Sequence, residues 1–413
     1  MLFLRPTESA TVFLQQLGRG LRRAAGKACL TVLDFVGQHD RRFGWDVRYR
    51  ALTGSSRSEL VHQIEHGFPF LPAGSSIRLD RVARELVLEN VRAQTILRRP
   101  QLIEDVRSYG DVSLAEYLRA SGREPATIYR PRQSWTALRR AAGFPVPPPG
   151  PDEEGLLRRT ARFLHVDDQE RLNVWRDVLA APAPPALEGL GKREERLLLM
   201  LFFTLWRDGG GFSDYSAAWA QLWANPSVRR EIVEVLDVAK SLISHVPVRL
   251  SAMDSVPLWV HCRYSIDELL AAVGRVSLGQ PPANDREGVR FAEEERADVF
   301  TFTLSKSERD YSPTTLYRDY AISPELVHWE SQSTTSSESP TGQRYINHLA
   351  QGSRVLLFCR ETNSGEFGAR PYFFLGPARY VTHTGSRPIA ITWKLDHPMP
   401  AAFFEAASML ASG

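Results

Sequence analysis

The residues with the most chemistry in this sequence run from Ser305 to Tyr345 and carry no apolar period. Tyr311, Tyr317, Tyr320, Trp329 and Tyr345 offer flat ring faces. Ser331, Gln332, Ser333, Thr334 and Thr335 offer hydroxyl and amide groups, and Arg309, Arg318 and Arg344 offer positive charge. A core strand has no use for this mixture, whereas a surface that stacks on bases and bonds phosphates needs all of it. The same composition also suits a long solvated loop pinned to its domain by its rings. Asp319 and Glu330, in the same stretch, are the acceptors for an amino group such as the cytosine N4 amine; Asp319 reads equally as a turn-capping carboxylate.

Bulk properties leave that reading open. The 413 residues suffice for about two to four domains. With 43% hydrophobic and 24% charged residues the chain is an ordinary globular composition. A net charge of +3 does not declare a nucleic-acid binder, yet permits local basic patches. Cys29, Cys262 and Cys359 form no CxxC pair and read as buried thiols of a reducing compartment, without disulfide or zinc site. His165, His245 and His261 likewise show no metal-ligand spacing, so no metal is expected. The apolar run Leu197–Trp206 falls short of the roughly 20 residues of a membrane span. No secretory signal is evident, and the expected location is the cytoplasm.

The elements that must position these residues fall into four blocks. Residues 1–50 open with a helical stripe over Ala10–Arg23, followed by an apolar β-branched run, Ala28–Val36, that predicts a buried parallel strand. Asp34 is the polar exception in it. Residues 51–145 predict short helices. The run Arg41–Arg50 alternates basic and aromatic residues and suits either a DNA backbone or an exposed face. Ser56–Glu59, Ser113–Glu116 and Ser265–Glu268 have capping-box spacing. Residues 155–278 predict a helical coupler with helices near Leu156–Leu164, Gln169–Leu179, Arg193–Trp206, Tyr215–Trp223 and Val228–Ser244. Trp175, Trp206, Trp219 and Trp223 serve there as core residues. Residues 289–413 turn to β: strands at Asp298–Leu304, Leu326–Glu330, Arg354–Arg360, Pro371–Leu375, Ala378–Thr382 and Pro388–Leu395, with helices after Pro340 and over Phe403–Leu410. The fold class expected is α+β and multidomain, ending in a small curved sheet or open barrel.

The octapeptide Gln15-Gln16-Leu17-Gly18-Arg19-Gly20-Leu21-Arg22 resembles motif VI of superfamily-2 helicases, Q-x-x-G-R-x-x-R. That resemblance implies the end of a RecA-like lobe in which Arg19 and Arg22 reach the ATP γ-phosphate and Gln15 supports them. No G-x-x-x-x-G-K-[ST] or DEAH-like motif accompanies it, so the chain reads as the C-terminal portion of a larger protein. ATP and Mg²⁺ belong to the complete helicase, and no cofactor is expected for this chain alone. The order DYSPTT, LYRDYAIS, PELVHWESQSTT, GSRVLLFCRE and FLGPARYVTHTGSRPIAITWKLDHPMP is similar to bacterial helicases with a DUF3427-type C-terminal domain. Some of these carry a phospholipase-D-like nuclease and cut DNA containing modified cytosine. The likeness implies an SRA-like or PUA-like reader that flips 5-methylcytosine or 5-hydroxymethylcytosine out of double-stranded DNA. Tyr317 and Tyr320 would stack on the base and Trp329 would wall the pocket or fill the core. Ser331 to Thr335, Arg318 and Arg344 would hold phosphates. The missing helicase and nuclease domains are the implied partners, with no membrane. Two alternatives stand beside this reading: an in-trans half of a split helicase, and a non-catalytic interaction module or truncated remnant. No catalytic constellation is complete in the sequence.

Overall fold

The computed structural model describes residues 1–3, 10–22, 29–34, 45–53, 57–68, 71, 75–95, 97–243, 245–251, 253–285, 288–304 and 319–411. They form two compact units. The first comprises residues 1–112, 116–130 and 141–144; the second comprises 113–115, 131–140 and 145–413.

In the first unit, Ala10–Leu21 is the helix its apolar stripe predicts. Phe13 is buried, 5.3 Å from the Phe3 ring, and the Arg48 guanidinium lies 4.2 Å above it. Arg48 is 2% exposed and pairs with Asp34 at 2.6 Å. Burial raises the Asp34 carboxyl more than Arg48 lowers it. Arg48 comes from the basic-aromatic run, which over Trp45–Thr53 is a helix. Trp45 and Tyr49 are buried there, and Arg50 meets Glu124 at 2.6 Å. Within the described part of that run the basic and aromatic residues therefore build a core, leaving little to meet a DNA backbone. Residues 41–44 lie outside the described residues.

The buried strand expected over Ala28–Val36 is corrected. Its described part pairs only Leu33–Asp34, in parallel, with Leu2–Phe3. Cys29, Thr31 and Leu33 are exposed, so Cys29 is no buried thiol. A two-residue ladder leaves the faces of an apolar run uncovered, whatever its composition. Two further helices of the unit pack through Leu60, Ile64, Val87 and Val91, from Arg57–Glu65 and Arg81–Thr95. Asp80 caps the second of these by accepting the Ala83 N–H at 2.8 Å.

The second unit begins with helices. Gln169–Ala180, Lys192–Leu205, Tyr215–Trp223 and Pro226–Ser241 lie close to their expected spans. The single helix expected over Leu156–Leu164 is instead an α-turn at Glu153–Leu157 and a 3₁₀ segment at Thr160–His165. Every residue from Arg196 to Leu205 is buried, as befits a helix apolar on all sides. Trp175, Trp206 and Trp219 are buried and Trp223 is half-buried. Among the described residues no helix is long and apolar enough to cross a membrane.

The sheet follows. Its strands are β1 (Arg263–Tyr264), β2 (Val289–Ala292), β3 (Ala297–Thr303), β4 (Tyr320–Ser323), β5 (Leu326–Glu330), β6 (Arg354–Arg360), β7 (Tyr372–Thr384) and β8 (Ala390–Leu395). The spatial order is β2-β3-β6-β7-β8-β5-β4, with β1 beside β7. The sheet is mixed, since β3 and β6 run parallel while the other pairings are antiparallel, and it does not close into a barrel. Two expected strands, Pro371–Leu375 and Ala378–Thr382, are one strand. Gly376 and Pro377 stay in the ladder opposite Leu357 and Leu356, and the register shift between Leu357 and Phe358 leaves Leu375 as the bulged residue. Gly376 has φ +103°, and a Cβ there would stand 2.9 Å from Val260. One face of the sheet is a core around Phe300, Trp329, Tyr345, Trp393 and Phe373, closed by Phe403 of the Ala401–Ala411 helix.

Candidate functional site

The polar, ring-rich stretch divides in two on folding. Residues 305–318, with Tyr311, Tyr317, Arg309 and Arg318, lie outside the described residues. From Asp319 onward the alternation of β4 and β5 decides each side chain's fate, because successive residues face opposite ways. Trp329 points into the core, 4.3 Å from Phe300 and 5.9 Å from Tyr345. Its neighbours His328 and Glu330 point outward, and Tyr320 stacks on His328 at 4.7 Å and 26°.

Several candidates belong to the fold. Ser331 is fully buried; its hydroxyl accepts the Ile389 N–H at 2.9 Å and donates to the Gln332 carbonyl at 3.1 Å. It joins two segments and has no surface from which to hold a phosphate. Arg344 forms a two-point pair with Asp298 at 2.8 and 2.7 Å. Burial raises the Asp298 carboxyl, and Arg344 opposes that rise. Arg344 thus neutralises an internal carboxylate. Asp319 is 6% exposed and accepts the Glu330 N–H at 3.1 Å, eleven residues away, so it ties neighbouring segments rather than capping a local turn.

The remaining candidates meet on the sheet's outward face. Register places Tyr320 opposite His328, His328 opposite Thr392, and Thr392 opposite Thr382, a polar row across four strands. Beside it Lys394 pairs in register with Arg379, and Glu330 with Ala390. Both cations have exposed partners: Arg379 meets Asp396 at 2.7 Å and Lys394 meets Glu325 at 3.8 Å. Such solvated pairs exchange readily for another anion. At one end lie Gln332, Ser333 and Thr334, all exposed, and Thr335, half-buried. The Ser337 and Ser386 hydroxyls meet there at 3.1 Å. His328, Thr382, Thr392, Arg379 and Lys394 join the candidate set through this register; their scatter over three strands hides them from a linear reading.

Residues 258–407 match the family model described as a domain of unknown function, DUF3427. The chain contains a DUF3427 domain. No curated protein matches the chain. The domain begins ahead of the change to β texture at residue 289, and the structure gives the reason. Strand β1, at Arg263–Tyr264, pairs with Tyr372–Phe373 of β7, so the segment after Leu258 is already part of the sheet.

A buried ionic network ties the DUF3427 domain to the helices before it. Arg171 bonds Asp168, the Glu268 carboxylate at 2.8 Å and the Arg263 carbonyl at 2.7 Å, and its guanidinium lies 4.1 Å over Tyr264. His165 meets the second Glu268 oxygen at 2.5 Å. Glu268 also closes the capping box with Ser265, as the spacing predicted.

In the first unit, Gln15 and Arg19 are exposed on the Ala10–Leu21 helix, and Arg22 is exposed one residue beyond it. At positions i, i+4 and i+7 they share one side of the turn.

Proposed function

We propose that this chain is the DNA-recognition and coupling part of a modification-dependent restriction helicase or translocase, and that it reads modified cytosine by flipping it from the duplex. The observation that carries the reading is the outward sheet face. An exposed ring, Tyr320, stands beside His328, two threonines, Lys394 and Arg379. A base needs a stacking face and its phosphates need cations and hydroxyls, and this face supplies both. Tyr320 takes the base, Glu330 accepts from the cytosine amine, and Gln332 to Thr335 line the phosphate path. The Arg171 network passes the binding event into the helices, because it offers two segments a shared, rigid set of charges. Mobility shifts with unmodified, 5-methylcytosine and 5-hydroxymethylcytosine duplexes test the proposal. Preference for a modified duplex supports it; equal affinity for all removes modification reading, and no binding removes DNA.

Exposure of Gln15, Arg19 and Arg22 along one side of a helix favours a second reading, in which the chain completes a separately encoded helicase lobe. There ATP and Mg²⁺ would sit on that partner, and the two guanidinium groups would offset phosphate charge. Mixing the chain with such a lobe should restore DNA-stimulated ATPase activity, and Arg19→Ala should abolish the gain.

A further inference from the structure

Asp167, His245 and Cys262 are far apart in sequence and carry no metal-binding spacing. Folding brings one donor atom of each to within 4.8 Å of the others. His245 Nε2 is 3.7 Å from Cys262 Sγ and 3.7 Å from Asp167 Oδ2. Zinc bound at about 2.0–2.3 Å by nitrogen, oxygen and sulfur in a tetrahedron needs ligand edges of about 3.3–3.6 Å. The observed edges at His245 are close to that. They are too long for the direct hydrogen bond to Asp167 that would otherwise explain the grouping.

A second observation points the same way. Asp167 is 8% exposed, and its Oδ2 is buried without a hydrogen-bond partner. The other oxygen is used: Oδ1 accepts the Arg263 N–H at 2.8 Å and faces Arg171 at 3.4 Å. A buried carboxylate oxygen left bare is costly unless a cation meets it. The nearest positive group, the Arg263 guanidinium, stops at 3.6 Å, and Arg263 is instead 5.4 Å over the Phe373 ring. Cys262 is fully buried, and its Sγ also lies 3.8 Å from the Asp167 carbonyl. The His245 side chain is 18% exposed, which opens a route for an ion from solvent.

We propose that Asp167 Oδ2, His245 Nε2 and Cys262 Sγ bind a zinc-class divalent transition metal, with water in the fourth position. One sulfur, one imidazole and one carboxylate form a borderline-soft set that suits Zn²⁺ and excludes Mg²⁺ and Ca²⁺. Binding releases the thiol proton to solvent, and the thiolate becomes the ligand. The ion fastens three segments: the residue before the cap of the Gln169–Ala180 helix, the chain after Pro226–Ser241, and the start of the DUF3427 domain. The site is independent of the DNA reading.

The full chain, stripped with a chelator and titrated with Zn²⁺ and separately with Co²⁺, tests this. The expected result is about one equivalent of zinc per chain. Cobalt should give tetrahedral visible bands and a thiolate-to-cobalt charge-transfer band. His245→Gln, at a partly exposed position, should keep the far-ultraviolet circular dichroism and lose at least about tenfold in affinity. Cys262→Ser should remove the charge-transfer band, and if that variant does not fold, His245→Gln decides alone. Zinc uptake below about a tenth of an equivalent overturns the proposal. So does a cobalt spectrum without the thiolate band, or wild-type affinity in His245→Gln.

Discussion

Arg171 and Glu268 stand 97 positions apart and meet at 2.8 Å with neither side chain reached by solvent. The pair joins the helical block to the DUF3427 domain, and each partner is the other's compensation for lost hydration. Glu268→Gln keeps the shape and removes the charge, leaving Arg171 to Asp168 and Asp167. Breaking such a pair costs about 3–5 kcal/mol. Urea unfolding should show this loss, and a change under about 0.5 kcal/mol would mean that Asp168 alone suffices.

Neighbouring carboxylates in this network should titrate in opposite directions. Burial pushes Asp267 up to about 6, against the pull of Arg207 and Arg162. Burial also penalises Glu268, but His165 and Arg171 reverse the effect and bring it down to about 2. Glu268 therefore contributes stability above its ordinary value of 4.5, and that contribution is lost as pH falls towards 2. Asp267 works the other way: ionising it costs the fold as pH climbs from 3.8 through 6. Asp267→Asn should raise the unfolding free energy from urea denaturation at neutral pH, by up to about 3 kcal/mol, and leave acid stability unchanged. Glu268→Gln should flatten the acid limb. The reverse pattern would show that the assignments are exchanged.

The outward sheet face makes a separate prediction. Tyr320→Ala removes the exposed ring, and loss of one base–aromatic stack is worth about 1–3 kcal/mol, roughly 5- to 150-fold in DNA affinity. Lys394→Glu should weaken binding to every duplex and reduce the salt slope by about one. Neither change touches the core, so thermal unfolding should stay near wild type. Affinities equal to wild type for both variants would move the DNA site off this face.

What the sequence made legible follows from the range of the forces involved. The Ser265 capping box, the long apolar helix at Lys192–Leu205 and the strands at Arg354–Arg360 and Leu326–Glu330 depend on neighbours within a few residues, and they could be read. The run at Ala28–Val36 could not, because burial of a strand depends on what covers it. Trp329 and Glu330 show the same limit within one strand: composition offered both as ligand contacts, and only the strand's alternation in the sheet separates them. Ser331 and Arg344 looked free because their partners, Ile389 and Asp298, are 58 and 46 residues away. The grouping of Asp167, His245 and Cys262 depends entirely on such distant closure.

Arg344 supplies the test that separates folding from recognition. Its two hydrogen bonds end on Asp298, whose side chain is wholly buried, and its guanidinium lies 4.3 Å over the Phe291 ring. Arg344→Gln leaves the Asp298 carboxyl without its cation, so burial should drive that carboxyl higher still. The expected loss is about 3 kcal/mol in unfolding free energy. Adding Asp298→Asn removes the stranded charge and should restore a large part of it, a coupling that a double-mutant cycle measures directly. DNA affinity, taken well below the unfolding transition, should not change in either variant. If Arg344→Gln instead weakened DNA binding while the unfolding curve stayed in place, the residue would contact DNA and the ion pair with Asp298 would open on binding.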